Sequence, residues 1–290
     1  MAKLQMKPDR RWSLILCKLQ EHRLVKTFEL FRKYNIEPVL IKGWAAARYY
    51  PLKEERLFTD IDVCVAPVEF KKAREILAEC KKEGLLVDLH NGLRHLDTVD
   101  WDNLFENTQL IELQKTNIRV LRPEDHLRVL CVHWLNDGGA VKERLWDIYY
   151  AVENRAPDFD WDRCLKTVDV KRRKWIVCAI GLAHLYLGLD LKNTPIADEA
   201  EQIPGWVIKT VEKEWADENR LKSLVASLSN REEFFRQLKK RFPPNPIQAT
   251  IDVGGEFNDN PRIFYQLADI FIRIKPSLQR FVNKIRQNDL

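Results

Sequence analysis

Thr59-Asp60-Ile61-Asp62-Val63-Cys64-Val65, with Lys42-Gly43 before it and Val87-Asp88-Leu89-His90 after it, decides how this chain is read. Ile61, Val63 and Val65 are β-branched and Cys64 is apolar, which is the composition of a short buried strand. Successive side chains on a strand point to opposite faces, so Asp60 and Asp62 share one face and Ile61 takes the other. Two carboxylates roughly 6–7 Å apart along a strand repel, and a cation between them removes the conflict. A hard divalent ion with oxygen ligands fits, and Mg²⁺ in particular is held by one or two carboxylates together with substrate phosphates. The alternative is a strand edge carrying two solvated aspartates. On the repulsion argument, neutralising either aspartate is expected to leave the melting temperature level or higher.

Pro38-Val39-Leu40-Ile41 is an apolar run of strand length, Lys42-Gly43 ends it, and Trp44 to Tyr50 favours helix. Strand, glycine and helix N-terminus in succession leave free backbone amides at the positive end of a helix dipole, which is a place for phosphate. Lys42 adds a point charge suited to phosphate, or is a solvated strand-end lysine. Arg56 either contacts a substrate triphosphate or pairs with Asp60. Leu85 to His90 is again strand-like, and Asp88 offers a third carboxylate if that strand pairs beside 60–65. His90, two residues on and on the same face, then supports a metal ligand or serves as a general base.

The order Val39-Leu40-Ile41-Lys42-Gly43, Tyr50-Pro51, Arg56, Asp60-Ile61-Asp62 and Asp88-Leu89-His90 resembles the DNA polymerase beta-type nucleotidyltransferase superfamily, most closely its uncharacterised bacterial nucleotidyltransferase branch. The likeness continues through Val120-Leu121-Arg122-Pro123-Glu124-Asp125-His126, Leu130-Cys131-Val132-His133 and Trp146-Asp147-Ile148 to Asp160-Trp161-Asp162. The superfamily's usual Gly-Ser after the first strand is here Lys42-Gly43-Trp44, which removes a serine hydroxyl from the phosphate site. The resemblance implies an α+β fold, with a small mixed β-sheet and flanking helices followed by a mostly α-helical domain. It also implies transfer of a nucleoside monophosphate from a nucleoside triphosphate to an acceptor, a small-molecule hydroxyl or a protein, with release of pyrophosphate. Two Mg²⁺ ions, replaceable by Mn²⁺, would then be bridged by Asp60 and Asp62, with Asp88 holding the acceptor-side ion and the Gly43 amides and Lys42 positioning the phosphates. The alternative is a non-catalytic member of the fold that binds nucleotide or a partner.

Length and charge agree with this. The 290 residues can bury a sizeable core, and 45% hydrophobic with 31% charged residues is ordinary for a soluble globular protein. The net charge of +5, from 48 Lys+Arg against 43 Asp+Glu, suits anionic substrates but is too small to call for nucleic acid, which is not expected as a partner. Six cysteines without a Cys-x-x-Cys or zinc spacing read as reduced core residues of a cytoplasmic protein. Met1 to Arg11 is charged, so no signal peptide is expected. The longest apolar run, Trp175 to Leu189, contains Gly181, His184 and Gly188 and reads as a buried helix, so no membrane association is expected.

Along the chain, a helix from Asp9 ends at Asn35, followed by strand 38–42, helix 44–50, strand 59–65, helix 68–82 with Gly84 as its C-cap, and strand 85–90. Residues 92–102 read as loop, and 110–113 with 118–121 as a hairpin around Lys115-Thr116-Asn117. A boundary after Leu121 divides a nucleotidyltransferase core, 1–121, from a helical domain, 122–290. That domain reads as helices 124–135, 140–153, 160–189, 204–228, 230–240 and Pro261 to about Gln287, with 241–260 as loop. Asn136-Asp137-Gly138-Gly139 reverses the chain between helices 124–135 and 140–153. The reversal is expected to bring His133, Lys142, Arg144 and Asp147 to one hairpin end, with Lys142 or Arg144 on the triphosphate and Asp147 fixing His133 or orienting the acceptor. A solvated Arg144–Asp147 pair is the alternative. The basic runs 171–174 and 239–241 read as solvated helix faces.

Overall fold

The computed structural model describes residues 10–80, 85–93, 99–217 and 230–273. The chain packs as two compact units, Met1–Leu130 with Trp146–Asp169, and Cys131–Leu145 with Val170–Leu290. A boundary after Leu121 follows chain order, whereas packing returns residues 122–130 and 146–169 to the first unit.

The first unit is built on a mixed sheet with flanking helices, the α+β class expected from the sequence. Its elements are α1 (Arg10–Lys33), β1 (Val39–Leu40), α2 (Trp44–Ala47), β2 (Ile61–Val65), α3 (Phe70–Glu79), β3 (Val87–Asn91), α4 (Trp101–Glu106), β4 (Gln109–Leu113) and β5 (Thr116–Val120). Helices α5 (Pro123–Asn136), α6 (Leu145–Glu153) and α7 (Trp161–Lys166) follow. The strands lie in the order β3-β2-β1-β5-β4. β1 is antiparallel to β2 and parallel to β5, β2 and β3 are parallel, and β4 and β5 form an antiparallel hairpin.

Every residue of β2 is buried, and its alternation sorts them. Ile61, Val63 and Val65 pack with Leu24, Phe28 and Phe31 of α1 and with Ala73 and Ile76 of α3. Cys64 turns the other way, into a second cluster with Val39, Ile41, Leu121 and Val129. Asp62, one residue from Ile61 and Val63, therefore shares the face of Cys64. Parallel pairing of β2 with β3 requires a crossover, and α3 supplies it.

Two local readings need correction. The hairpin turn is Gln114-Lys115, with φ of 49° and 67°, rather than a loop centred on Thr116. Two successive left-handed residues match a two-residue turn whose twist suits the strands, although neither is the usual Asn or Gly. α4 occupies part of the stretch read as loop.

The second unit is helical, with α8 (Val170–Leu187), α9 (Ala197–Ala200), α10 (Gly205–Ala216), α11 (Arg231–Arg241) and α12 (Pro246–Asp252), and residues 263–273 are also helical. α8 passes so close to α9 that a Cβ on Gly181 would lie 2.0 Å from the Ala200 carbonyl oxygen. α12 falls inside the stretch expected as loop. The Asn245 side chain accepts from the amides of Ile247 and Gln248 at 2.9 and 3.2 Å, and Pro246 opens the helix. That Asn-Pro pair was the available signal, outweighed in the sequence by the surrounding prolines and glycines. Among the described residues no helix is long and apolar enough to cross a membrane. All six cysteines are free. The expected Gly84 cap and helical residues 218–228 and 274–287 lie outside the described residues.

Candidate functional site

The register of the parallel pair opposes Asp62 to Asp88 and Cys64 to His90. Asp62 and Asp88 therefore stand side by side on one face of the sheet, with His90 one pleat further along β3. One ligand atom from each of the three lies within 4.8 Å of the others. His90 Nε2 is 3.3 Å from Asp62 Oδ1 and 3.4 Å from Asp88 Oδ2. Asp62 is buried, His90 half-buried and Asp88 exposed. Lys42, delivered by the end of β1, places Nζ 2.5 Å from Asp62 Oδ1.

Burial alone would push the Asp62 carboxyl up, but the hydrogen bond from His90 and the Lys42 charge outweigh it and hold the group at about 2. It is ionised at neutral pH. Because the folded value lies below the unfolded one, ionised Asp62 stabilises the fold above about pH 4, and this contribution is lost as pH falls through about 2. Its size is about 2 kcal/mol. Urea unfolding of the metal-free protein at pH 6 and pH 2.5 should show this loss, and Asp62→Asn should lack that part of the pH dependence.

The donor set fits a divalent cation. Two carboxylates suit Mg²⁺ and Mn²⁺, and the imidazole nitrogen adds a ligand suited to transition metals. The His90 imidazole thus stands among the candidate ligand atoms. Asp60 does not join the group. It lies ahead of β2 and is exposed, with Thr59 Oγ1 3.4 Å from its Oδ1. The strict alternation expected to align residues 60 and 62 belongs to a pleated strand, and the strand begins only at Ile61.

Gly43 adopts φ +61° ahead of α2, a conformation that favours glycine, and a Cβ there would meet the Phe58 ring at 3.4 Å. α2 is four residues long, all buried, rather than the seven read over 44–50, so the dipole it offers is correspondingly short. Trp44 is fixed by its indole, which donates to buried Glu21 at 3.3 Å.

Arg56 is paired with Asp147 rather than with Asp60. Its Nε and Nη2 donate to the two oxygens of Asp147 at 2.6 and 2.8 Å, and Nη1 donates to the Leu57 carbonyl at 2.7 Å. The Tyr50 hydroxyl donates to Asp147 Oδ1 at 2.7 Å. Asp147 is thus a buried acceptor for Arg56 and Tyr50, and it fixes neither His133 nor a pair with Arg144. Arg144 lies 3.1 Å from His133 Nε2 and 3.4 Å from Asp137 Oδ2, and Lys142 Nζ sits 4.8 Å from the centre of the Trp215 ring. Lys142 to Arg144 form a 3-10 turn before α6, which changes the helical phase on which residues 144 and 147 would have shared a face.

Sequence reasoning gave no separate role to Glu124, Asp125, His126 and Arg128, which the structure buries. Glu124 accepts from Arg122 Nε at 2.7 Å and from the Asp160 amide at 2.9 Å. Asp125 accepts from Arg128, and from Arg163 Nη2 at 2.8 Å, while Arg128 Nη1 reaches the Arg163 carbonyl at 2.5 Å. His126 Nδ1 lies 3.1 Å from the Tyr49 hydroxyl, and burial, assisted by Arg48, pushes its imidazole down to about 3, so it is neutral. These groups bind α5 to α7 and to the turn after α2.

A family model described as an uncharacterised nucleotidyltransferase matches residues 5–81 and 78–188. No curated protein and no solved structure matches the chain significantly. The matched stretches cover well over half the chain and carry Lys42-Gly43, both carboxylate strands and the buried Glu124–Arg128 network, so the chain belongs to this uncharacterised nucleotidyltransferase family.

Proposed function

We propose that the protein transfers a nucleoside monophosphate from a nucleoside triphosphate to an acceptor hydroxyl, with a small molecule as the simplest acceptor, and releases pyrophosphate. The observation that carries this reading is the Asp62–Asp88 register with His90 beside it, a compact group of oxygen and nitrogen donors opening from the sheet. Asp62, Asp88 and His90 hold the divalent cation, Mg²⁺ or Mn²⁺, and exposed Asp60 is assigned the outer position next to the triphosphate. The bound ion supplies charge neutralisation on the phosphates and acidifies the attacking hydroxyl.

The remaining steps belong to the side chains. Lys42 helps keep Asp62 ionised, and its ammonium is assigned a phosphate oxygen of the bound nucleotide. The Gly43 turn, whose left-handed φ and close Phe58 ring favour glycine, is assigned to present its backbone amides to the phosphates. Arg56 is assigned a different task from phosphate binding, since its fork is taken up by Asp147 and Leu57.

Incubation with each labelled triphosphate and Mg²⁺ or Mn²⁺, read as pyrophosphate release and labelled acceptor, tests the proposal. Saturable nucleotide binding without turnover under all metals and acceptors would favour the non-catalytic alternative. Asp88→Ala should lower turnover about a hundredfold with little change in triphosphate affinity, because an acceptor-side ligand acts mainly in the transition state. Equal losses in both quantities would give Asp88 a binding role only.

A further inference from the structure

In the helical unit a cavity of about 440 Å³ is lined by α10, α11 and the Phe242–Pro246 segment. Lys209 and Lys213 are one turn apart on α10 and share a face, an arrangement of like charges that costs helix stability when nothing answers it. Arg236, Lys239 and Lys240 approach from α11. Arg236 pairs with Glu233, and Lys240 Nζ lies 2.8 Å from Asp217. Glu214, the other carboxylate of the lining, accepts from Asn245 Nδ2 at 3.0 Å. Lys209, Lys213 and Lys239 have no carboxylate partner among the described residues. Lys239 and Lys240 of the basic run 239–241 are therefore part of a converging cationic wall and not only a solvated helix face.

Facing the cations, the wall carries an apolar surface beside Thr210, Asn245 and Gln266. Phe242 is half exposed, and Pro243, Pro244 and Pro246 stand beside it, held in part by the Gln266 side chain, which donates to the Pro244 carbonyl at 2.6 Å. Three ammonium groups on one side and a rigid apolar surface on the other select for a compact anion carrying a ring. The volume is that of a small-molecule pocket.

We propose that this cavity is a second ligand site, for a small phosphorylated ring compound bound without a metal ion, its phosphates on Lys209, Lys213 and Lys239 and its ring against Phe242. Phosphate rather than carboxylate follows from the number of ammonium groups, since a diphosphate has enough charged oxygens to meet all three.

Calorimetry of the full chain in EDTA with inorganic pyrophosphate and with ADP tests this, because without a divalent ion the Asp62–Asp88 pair repels both probes. One saturable site is expected for each, with ADP the tighter. Lys213→Gln and Lys239→Gln should each weaken binding about fivefold or more and together about 25-fold, as for charge-assisted hydrogen bonds lost at separate positions. Phe242→Ala should remove the advantage of ADP, and Asp62→Asn should change nothing. The lysines are exposed, so both variants should fold, which the melting temperature verifies. Absence of saturable binding, binding indifferent to the lysine variants, binding lost in Asp62→Asn, or binding of a single-stranded oligonucleotide alone would each overturn the proposal. None of these outcomes bears on transfer at Asp62.

Discussion

Asp62→Asn should abolish nucleotidyl transfer, by about a thousandfold or more in turnover, and should also lower stability. The activity loss follows from removing the buried charge of the proposed ion site, a preorganised electrostatic contribution of the largest kind. The stability loss reverses the expectation drawn from two adjacent aspartates. Repulsion between Asp60 and Asp62 would be relieved by the substitution, but the nearest charge to Asp62 is cationic, with Lys42 Nζ at 2.5 Å. The asparagine removes the carboxylate charge 2.5 Å from a mostly buried ammonium, at a cost of about 1–3 kcal/mol in the metal-free protein. Wild-type turnover in the variant with Mg²⁺ and Mn²⁺ would remove Asp62 from the chemistry, and an unchanged urea midpoint would remove the Lys42 argument.

Asp147→Ala should have the largest effect on the fold. The two oxygens of Asp147 take a bidentate Arg56 and the Tyr50 hydroxyl, and both partners of the ion pair are largely shielded from water. Burial and the adjacent carboxylate push the Tyr50 phenol up, so it remains a donor across the working pH range. Removing the carboxylate strands a buried guanidinium, which costs about 3–5 kcal/mol and lowers the melting temperature by roughly 6–20 °C. Arg56→Met alone should be similarly damaging, whereas Arg56→Met with Asp147→Leu should recover much of the loss, because a buried pair replaced by apolar groups is often neutral. Strict additivity in that cycle would show that the two residues do not act as a unit. A variant with parental stability but no transfer would instead return Asp147 to an acceptor-orienting role.

Failures of sequence reading share a cause with these effects. Residues 60 and 62 look equivalent in the sequence, and only the start of pairing at Ile61 separates a buried Asp62 from an exposed Asp60. Arg56 and Asp147 are 91 residues apart, and nothing local to either predicts that they meet. Arg144 and Asp147 are close in sequence and suggest a pair, but the intervening 3-10 turn breaks the helical spacing on which that inference depends. The Glu124-Asp125-His126 stretch was visible as a family likeness, yet its hydrogen-bond partners include Asp160, Arg163 and Tyr49, which lie far from it in the chain.

By itself the sequence determined the class of fold, the strand that bears Asp62, the crossover that follows it and the family to which the chain belongs. Those properties follow from periodicity, turn residues and short ordered motifs, all encoded within a few residues of one another. Tertiary structure decided which charges meet. It set Asp88 beside Asp62 through the parallel register, put His90 within reach of both, and paired Lys42 with Asp62 and Arg56 with Asp147. Coulomb attraction and hydrogen bonding act on distance in space, and a buried charge takes the partner that packing brings to it, however far away that partner lies in the chain.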